Sequence, residues 1–222
     1  MHPMRSILRS PFSHVGLAVA ALALAGCASG TTGGGTTRME SGGEVDVGRV
    51  DMGARSAVIA GYPAKQRETV TMMTDKYGQP DVVSEQMIAW FNKGPFVKTI
   101  IMRQEVAHNF PMPHVDYLTQ TVRHRVPTDK FDDLAEYDGS VIVHRTRGEV
   151  TAQCDVEAMN FLALNLAHDV SMGRRTVEDA RAFYAKTAMA FKQGDKSSPY
   201  VQGLTFQQEP NAADPDRPAP GM

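Results

Sequence analysis

Residues 82–105, VVSEQMIAWFNKGPFVKTIIMRQE, decide the fold. Two runs rich in β-branched and aromatic residues, 82–91 and 96–105, flank Asn92-Lys93-Gly94-Pro95. Such side chains suit a pleated surface, and Asn, Gly and Pro between them supply the chemistry of a chain reversal. The stretch predicts an antiparallel hairpin. Upstream, 63–77 read as a helix: Pro63 suits its first turn, Val70, Met73 and Tyr77 share a face, and Gly78 with Pro80 stops it. Downstream, 117–126 (YLTQTVRHRV) form a third strand. Residues 128–137 form a short helix behind Pro127, closed by Asp138-Gly139, and 141–154 a second hairpin around Arg147-Gly148.

Two longer helices follow. Asp155 is the expected N-cap of 156–170, where Met159, Leu162, Ala163, Leu166 and Val170 make one apolar stripe. Phe161 and Leu164 lie on another face, so burial on more than one side is predicted. Thr176-Val177-Glu178-Asp179 is a capping box with aspartate in place of Glu or Gln. Val177, Ala180, Tyr184, Ala188 and Phe191 then repeat at helical spacing up to Gly194. The sum is an α+β fold: an antiparallel sheet of about five strands, with an N-terminal helix and a C-terminal helical hairpin packed on it.

Composition is that of a globular domain, with 42% hydrophobic and 22% charged residues, which excludes wholesale disorder. The formal net charge is -2; residues 1–26 hold Arg5 and Arg9 and no acid, so the remainder carries 21 basic and 25 acidic groups. No basic block stands out, which sets nucleic acid aside as a partner.

The N-terminal segment has a different character. Arg5 and Arg9 precede twelve uncharged, mostly apolar residues, 15–26. As a helix these would span about 18 Å against a hydrocarbon core of ~30 Å, too short for a stable crossing. The run ends at Leu24-Ala25-Gly26-Cys27, which resembles the lipobox of bacterial lipoproteins. The resemblance implies that 1–26 are a signal peptide removed on export, leaving Cys27 as a lipidated, palmitate-bearing N-terminus. Ala28 and Ser29 follow it in place of the aspartate that retains enteric lipoproteins in the inner membrane, implying an outer-membrane anchor that faces the periplasm. Residues 28–43 are almost all Gly, Thr and Ser, so 27–54 read as a tether, with a reach on the order of 30 Å. The single folded domain is placed at 55–207, and the proline-rich 208–222 read as a disordered tail.

A second resemblance lies inside the domain. Residues 75–91, DKYGQPDVVSEQMIAWF, place a helix end, Gly-x-Pro-Asp and a tryptophan-bearing strand in that order. This is similar to the small BamE/SmpA-type lipoproteins of outer-membrane assembly, over about 66–100. It implies helices packed on a short antiparallel sheet.

Candidate chemistry concentrates at His108-Asn109-Phe110-Pro111-Met112-Pro113-His114-Val115-Asp116. Two histidines and a carboxylate suggest a metal site. Pro111 and Pro113 bias the segment toward polyproline II, which would hold His108 and His114 roughly 19 Å apart unless the loop doubles back. His114 and Asp116 are the better pair, two apart on an extended chain, with a third ligand to come from elsewhere, such as His124, Glu157 or His168. The plainer reading is a rigid connector whose histidines bond backbone carbonyls. On the first long helix, Glu157, Asn160, Asn165 and His168 read as polar fastenings. With Cys27 acylated, Cys154 has no partner in the chain and reads as a small buried apolar residue. No hydrolase, P-loop or dinucleotide motif occurs. The chain is therefore expected to be a lipid-anchored periplasmic domain with no cofactor beyond its lipid. Its expected role is to bind or scaffold an envelope protein without catalysis. A metal-binding or metal-dependent envelope enzyme using the His114/Asp116 loop is the alternative.

Overall fold

The structure, a computed structural model, describes residues 51–222. The proposed signal peptide, Cys27 and nearly all of the tether lie outside the described residues. The first element is a helix the sequence reading missed, α1 (Met52–Ala60), whose N-cap Asp51 accepts from the backbone N–H groups of Gly53 and Ala54. Next come α2 (Ala64–Tyr77), β1 (Val82–Val83), β2 (Met87–Lys93), β3 (Phe96–His108), β4 (His114–Arg123), α3 (Phe131–Tyr137), β5 (Val141–His144), β6 (Glu149–Cys154), α4 (Glu157–Ser171), α5 (Val177–Lys192) and α6 (Pro199–Gln202). The strands form one antiparallel sheet in the order β1-β2-β3-β4-β6-β5, so the fold is α+β.

The predicted strand 82–91 is in fact two. Ser84 Oγ accepts from the N–H groups of Gln86 and Met87, and this local turn folds β1 back onto β2, adding the sixth strand. At the β2–β3 turn Gly94 sits at φ 56°, and a Cβ there would lie 2.3 Å from the Tyr77 ring. Only glycine fits.

Register puts the core on one side of the sheet. Ile88 pairs Ile101, Ile101 pairs Leu118, Leu118 pairs Cys154, and Ala152 pairs Val141, so these side chains share a face. Toward β1, α2 covers that face with Val70 and Met73 over Ile88, Trp90 and Ile101. Trp90 Nε1 donates to the Gly78 carbonyl at 2.8 Å, fastening the end of α2 to β2. Toward β5, α4 lies on Val122, Val150 and Ala152 and is wrapped in turn by α3, α5 and α6, so residues 159–171 are all buried. Each fully buried Ile or Leu contributes about 1.5–3 kcal/mol. On the other face Met87, Phe91, Met102 and Ile142 remain exposed.

Two expectations need correction. Asp155 is not the N-cap of α4; Val156 takes that position without a side-chain bond, and Asp155 lies 3.8 Å from Lys65 instead. The stretch read as a disordered tail packs on the domain. Ala212 is 1% exposed against the β5–β6 turn, Gln208 accepts from the Arg123 N–H at 2.7 Å, and Arg145 pairs with Asp214 at 2.9 Å and with Asp216. Composition indicated disorder because the segment has few apolar side chains; it is held by polar and backbone contacts.

Candidate functional site

The site grows from the β3–β4 hairpin. Past an irregularity between Ile101 and Val106, the two strands regain register: Val106 faces Asp116, Ala107 faces Val115, and His108 faces His114. Residues opposite one another, or two apart along a strand, present side chains to the same side. The proposed separation of His108 from His114 therefore does not hold. Pairing on both flanks closes 109–113 into a turn, overriding the extended bias of Pro111 and Pro113, and the two rings stand 4.9 Å apart between centroids. The expected pairing of His114 with Asp116 does hold, with Nε2 3.1 Å from Oδ1.

A third element completes the group. The turn between α3 and β5 brings Asp138 and Ser140 alongside. His108 Nδ1 lies 3.3 Å from Asp116 Oδ2, and its Nε2 lies 3.6 Å from Asp138 Oδ1. The Ser140 hydroxyl donates to Asp116 Oδ2, and its backbone N–H donates to Asp138 at 2.8 Å. His114 Nδ1 bonds the Met112 carbonyl at 2.9 Å. Asp116 is 2% exposed, yet its Oδ1 has no hydrogen-bond partner. Burial raises the pKa of the Asp138 carboxyl, opposed by the Ser140 N–H and His108 and aided by the Asp116 charge.

Beside His114 a cleft of about 390 Å³ opens between the hairpin tip, the start of α4 and the end of α5. Met112, Met159 and Phe191 give it apolar walls, and exposed Lys65 and Lys192 contribute two cations. Nothing in its lining is an activated nucleophile. Burial drives the Cys154 thiol far above its ordinary pKa, and Asp155 adds to the rise, so it is protonated and inert. Burial likewise keeps the Tyr184 phenol protonated. Ser140, His108 and Asp138 are a hydroxyl, an imidazole and a carboxylate in one group, as in serine hydrolases. Here the Ser140 hydroxyl donates to Asp116 Oδ2 and also lies 3.3 Å from His108 Nδ1, and Ser140 is not part of the cleft lining. Two imidazoles and a carboxylate are instead the donor set that suits first-row divalent ions.

The other sequence candidates do not join. His124 bonds Ser171 and Glu209, each at 2.8 Å, and its ring lies 4.8 Å from that of His168. His168 stacks on Phe206 at 4.3 Å and faces Arg174. Burial first, then His124 and Arg174, lowers its pKa to about 4. Glu157 accepts from Tyr77 at 2.8 Å and Gln120 at 2.7 Å and pairs with Lys76. Asn160 donates to the Leu118 carbonyl at 3.0 Å. Asn165 donates to the Tyr200 and Gly203 carbonyls and accepts from Thr205. These are the fastenings the α4 pattern suggested. Asp138 and Ser140 were missed: Asp138-Gly139-Ser140 reads locally as a turn, and only sheet pairing carries it to the hairpin tip.

Comparison with known protein families, with characterised proteins and with solved structures finds no match.

Proposed function

We propose that this chain is a lipid-anchored protein of the bacterial cell envelope, held at the outer membrane through Cys27 and facing the periplasm, whose folded domain acts by binding an envelope component and not by catalysis. The observation that carries the address is Leu24-Ala25-Gly26-Cys27 behind a basic, apolar leader and ahead of a Gly/Thr/Ser tether. The binding role is supported by the cleft beside His114, an apolar recess with cationic side chains, and by the protonated thiol that lines it. Among the described residues no helix is long and apolar enough to cross a membrane.

Fractionation of the native host tests the proposal. The wild-type chain should sediment with membranes, and Cys27→Ala should appear in the soluble fraction with an unchanged melting temperature. Retention of Cys27→Ala on membranes overturns it.

A further inference from the structure

We propose that His108, His114 and Asp116 form a binding site for a divalent transition-metal ion of the zinc type, with one coordination position left open. This deepens the binding role above by naming a ligand, and it does not depend on the lipid anchor.

Three features of the group point the same way. The first is spacing. One ligand atom from each residue can be chosen so that all lie within 4.8 Å of one another; His114 approaches Asp116 Oδ1 at 3.1 Å and His108 approaches Oδ2 at 3.3 Å. Ligand atoms bound to one tetrahedral ion at ~2.0–2.1 Å stand about 3.3 Å apart. Modest closure would bring all three into range.

The second is the surrounding support. A metal-bound imidazole typically donates its other N–H to a carbonyl or carboxylate, which fixes the tautomer and the ring plane. His114 meets this through Nδ1 and the Met112 carbonyl, leaving Nε2 to face Asp116. His108 has Asp138 beyond its Nε2, leaving Nδ1 to face Asp116. Ser140 donates to Asp116 Oδ2, the oxygen nearest His108, leaving Oδ1 toward His114. His114 and Asp116 thus have hydrogen-bonded outer partners, and Asp138 stands 3.6 Å from His108 Nε2.

The third is an unmet demand. His114 Nε2 lies 3.1 Å from Asp116 Oδ1 without making a hydrogen bond to it, and that oxygen is buried with no donor. A buried acceptor left unmet costs free energy. A cation held between the imidazoles and the carboxylate supplies the missing partner. A second buried carboxyl, Asp138, stands on the far side of His108. Imidazole nitrogens favour zinc, cobalt or iron over calcium and magnesium, which take oxygen ligands. Three protein ligands leave a fourth position, and His114 is also a wall of the cleft.

The test uses the full chain carrying Cys27→Ala, stripped with chelator and titrated with zinc chloride by calorimetry and with cobalt(II) by visible absorption. One zinc per chain should bind, cobalt should give a tetrahedral-type d–d spectrum, and magnesium and calcium should not compete. His114→Ala and Asp116→Asn should each weaken zinc binding at least 100-fold, and Ser140→Ala, an outer partner, roughly 10–100-fold. His144→Ala, exposed and outside the group, should bind as the parent does. Circular dichroism checks that each variant folds. If Asp116→Asn does not fold, His114→Ala and the cobalt spectrum of the parent decide. If the parent takes up no stoichiometric zinc the proposal fails, while membrane release of Cys27→Ala stands or falls separately.

Discussion

Gly148 ties the C-terminal segment to the sheet, and substituting it separates two costs. It closes the β5–β6 turn at φ 62°, and a Cβ there would lie 2.1 Å from the Ala212 carbonyl carbon and 2.4 Å from both its oxygen and the Ala213 nitrogen. Gly148→Ala first places a side chain in left-handed backbone, at roughly 1–2 kcal/mol. It then strikes backbone atoms that no rotamer change can clear, so residues around 212 must lift. What they lose can be estimated. The Ala212 methyl contributes about 0.8 kcal/mol. Hydrogen bonds from the Arg123 N–H to Gln208, between His124 and Glu209, and from the Asp214 N–H to the Arg145 carbonyl contribute about 0.5–1.5 kcal/mol each. The exposed Arg145 ion pairs add little. Docking of the segment is then worth about 3 kcal/mol on these magnitudes. Urea unfolding of four proteins, with Gly or Ala at 148 and with the chain full-length or ending at residue 207, reads out the coupling. Gly148→Ala should cost about 4 kcal/mol in the full chain, a melting shift of roughly 10 °C, and only about 1–2 kcal/mol in the shortened one. Equal losses in the two backgrounds would refute the packing of 208–216 on the hairpin.

Two further outcomes follow from buried groups. The His168 ring faces His124, Arg174, Asp169, Glu209 and Phe206, and its pKa is lowered from 6.5 to about 4. The unfolded chain takes up a proton there that the folded chain refuses, so stability falls as pH drops from 6.5 toward 4, by up to about 1.4 kcal/mol per pH unit, and this group adds no slope above 6.5. His168→Gln should flatten the acid side of the stability curve; an unchanged slope rules this out. Cys154 should resist thiol reagents at pH 8 in a Cys27→Ala background, labelling only as fast as the domain opens. Labelling at the rate of a free thiol in native buffer contradicts the burial of its sulfur.

Strand and helix positions were legible where local chemistry and tertiary demand agree. Asn92 to Pro95 turn the chain wherever it sits, and the apolar positions of α4 announce burial on more than one side. The Thr176 cap was legible too, accepting from the Asp179 N–H at 3.1 Å, although Asp179 then turns to Arg175 and does not complete the box. The metal-type cluster was only half legible. His114 and Asp116 share a strand, so spacing two suffices to pair them. His108 joins through cross-strand register, which local proline preference argued against, and Ser140 and Asp138 arrive from 24 and 22 residues beyond Asp116 by the sheet's path alone. The seating of 208–216 was illegible because hydrogen bonds and one buried methyl group leave no apolar period to read.

The helices meet the sheet in two separate apolar groups, one under α2 and one under α4. Between them runs a polar bridge, with Tyr77 and Gln120 donating to Glu157, and Asn160 donating to Gln120. Such a boundary transmits force partly through directional bonds, beside the dry contact that Tyr77 makes with both groups. The half containing α1, α2 and the first strands can therefore open as its own cooperative unit while the half around α4 stays closed. Amide exchange should divide along that line, giving Val70 and Met73 a lower opening free energy than Leu162 and Leu166. A single unfolding energy would then describe only the second half.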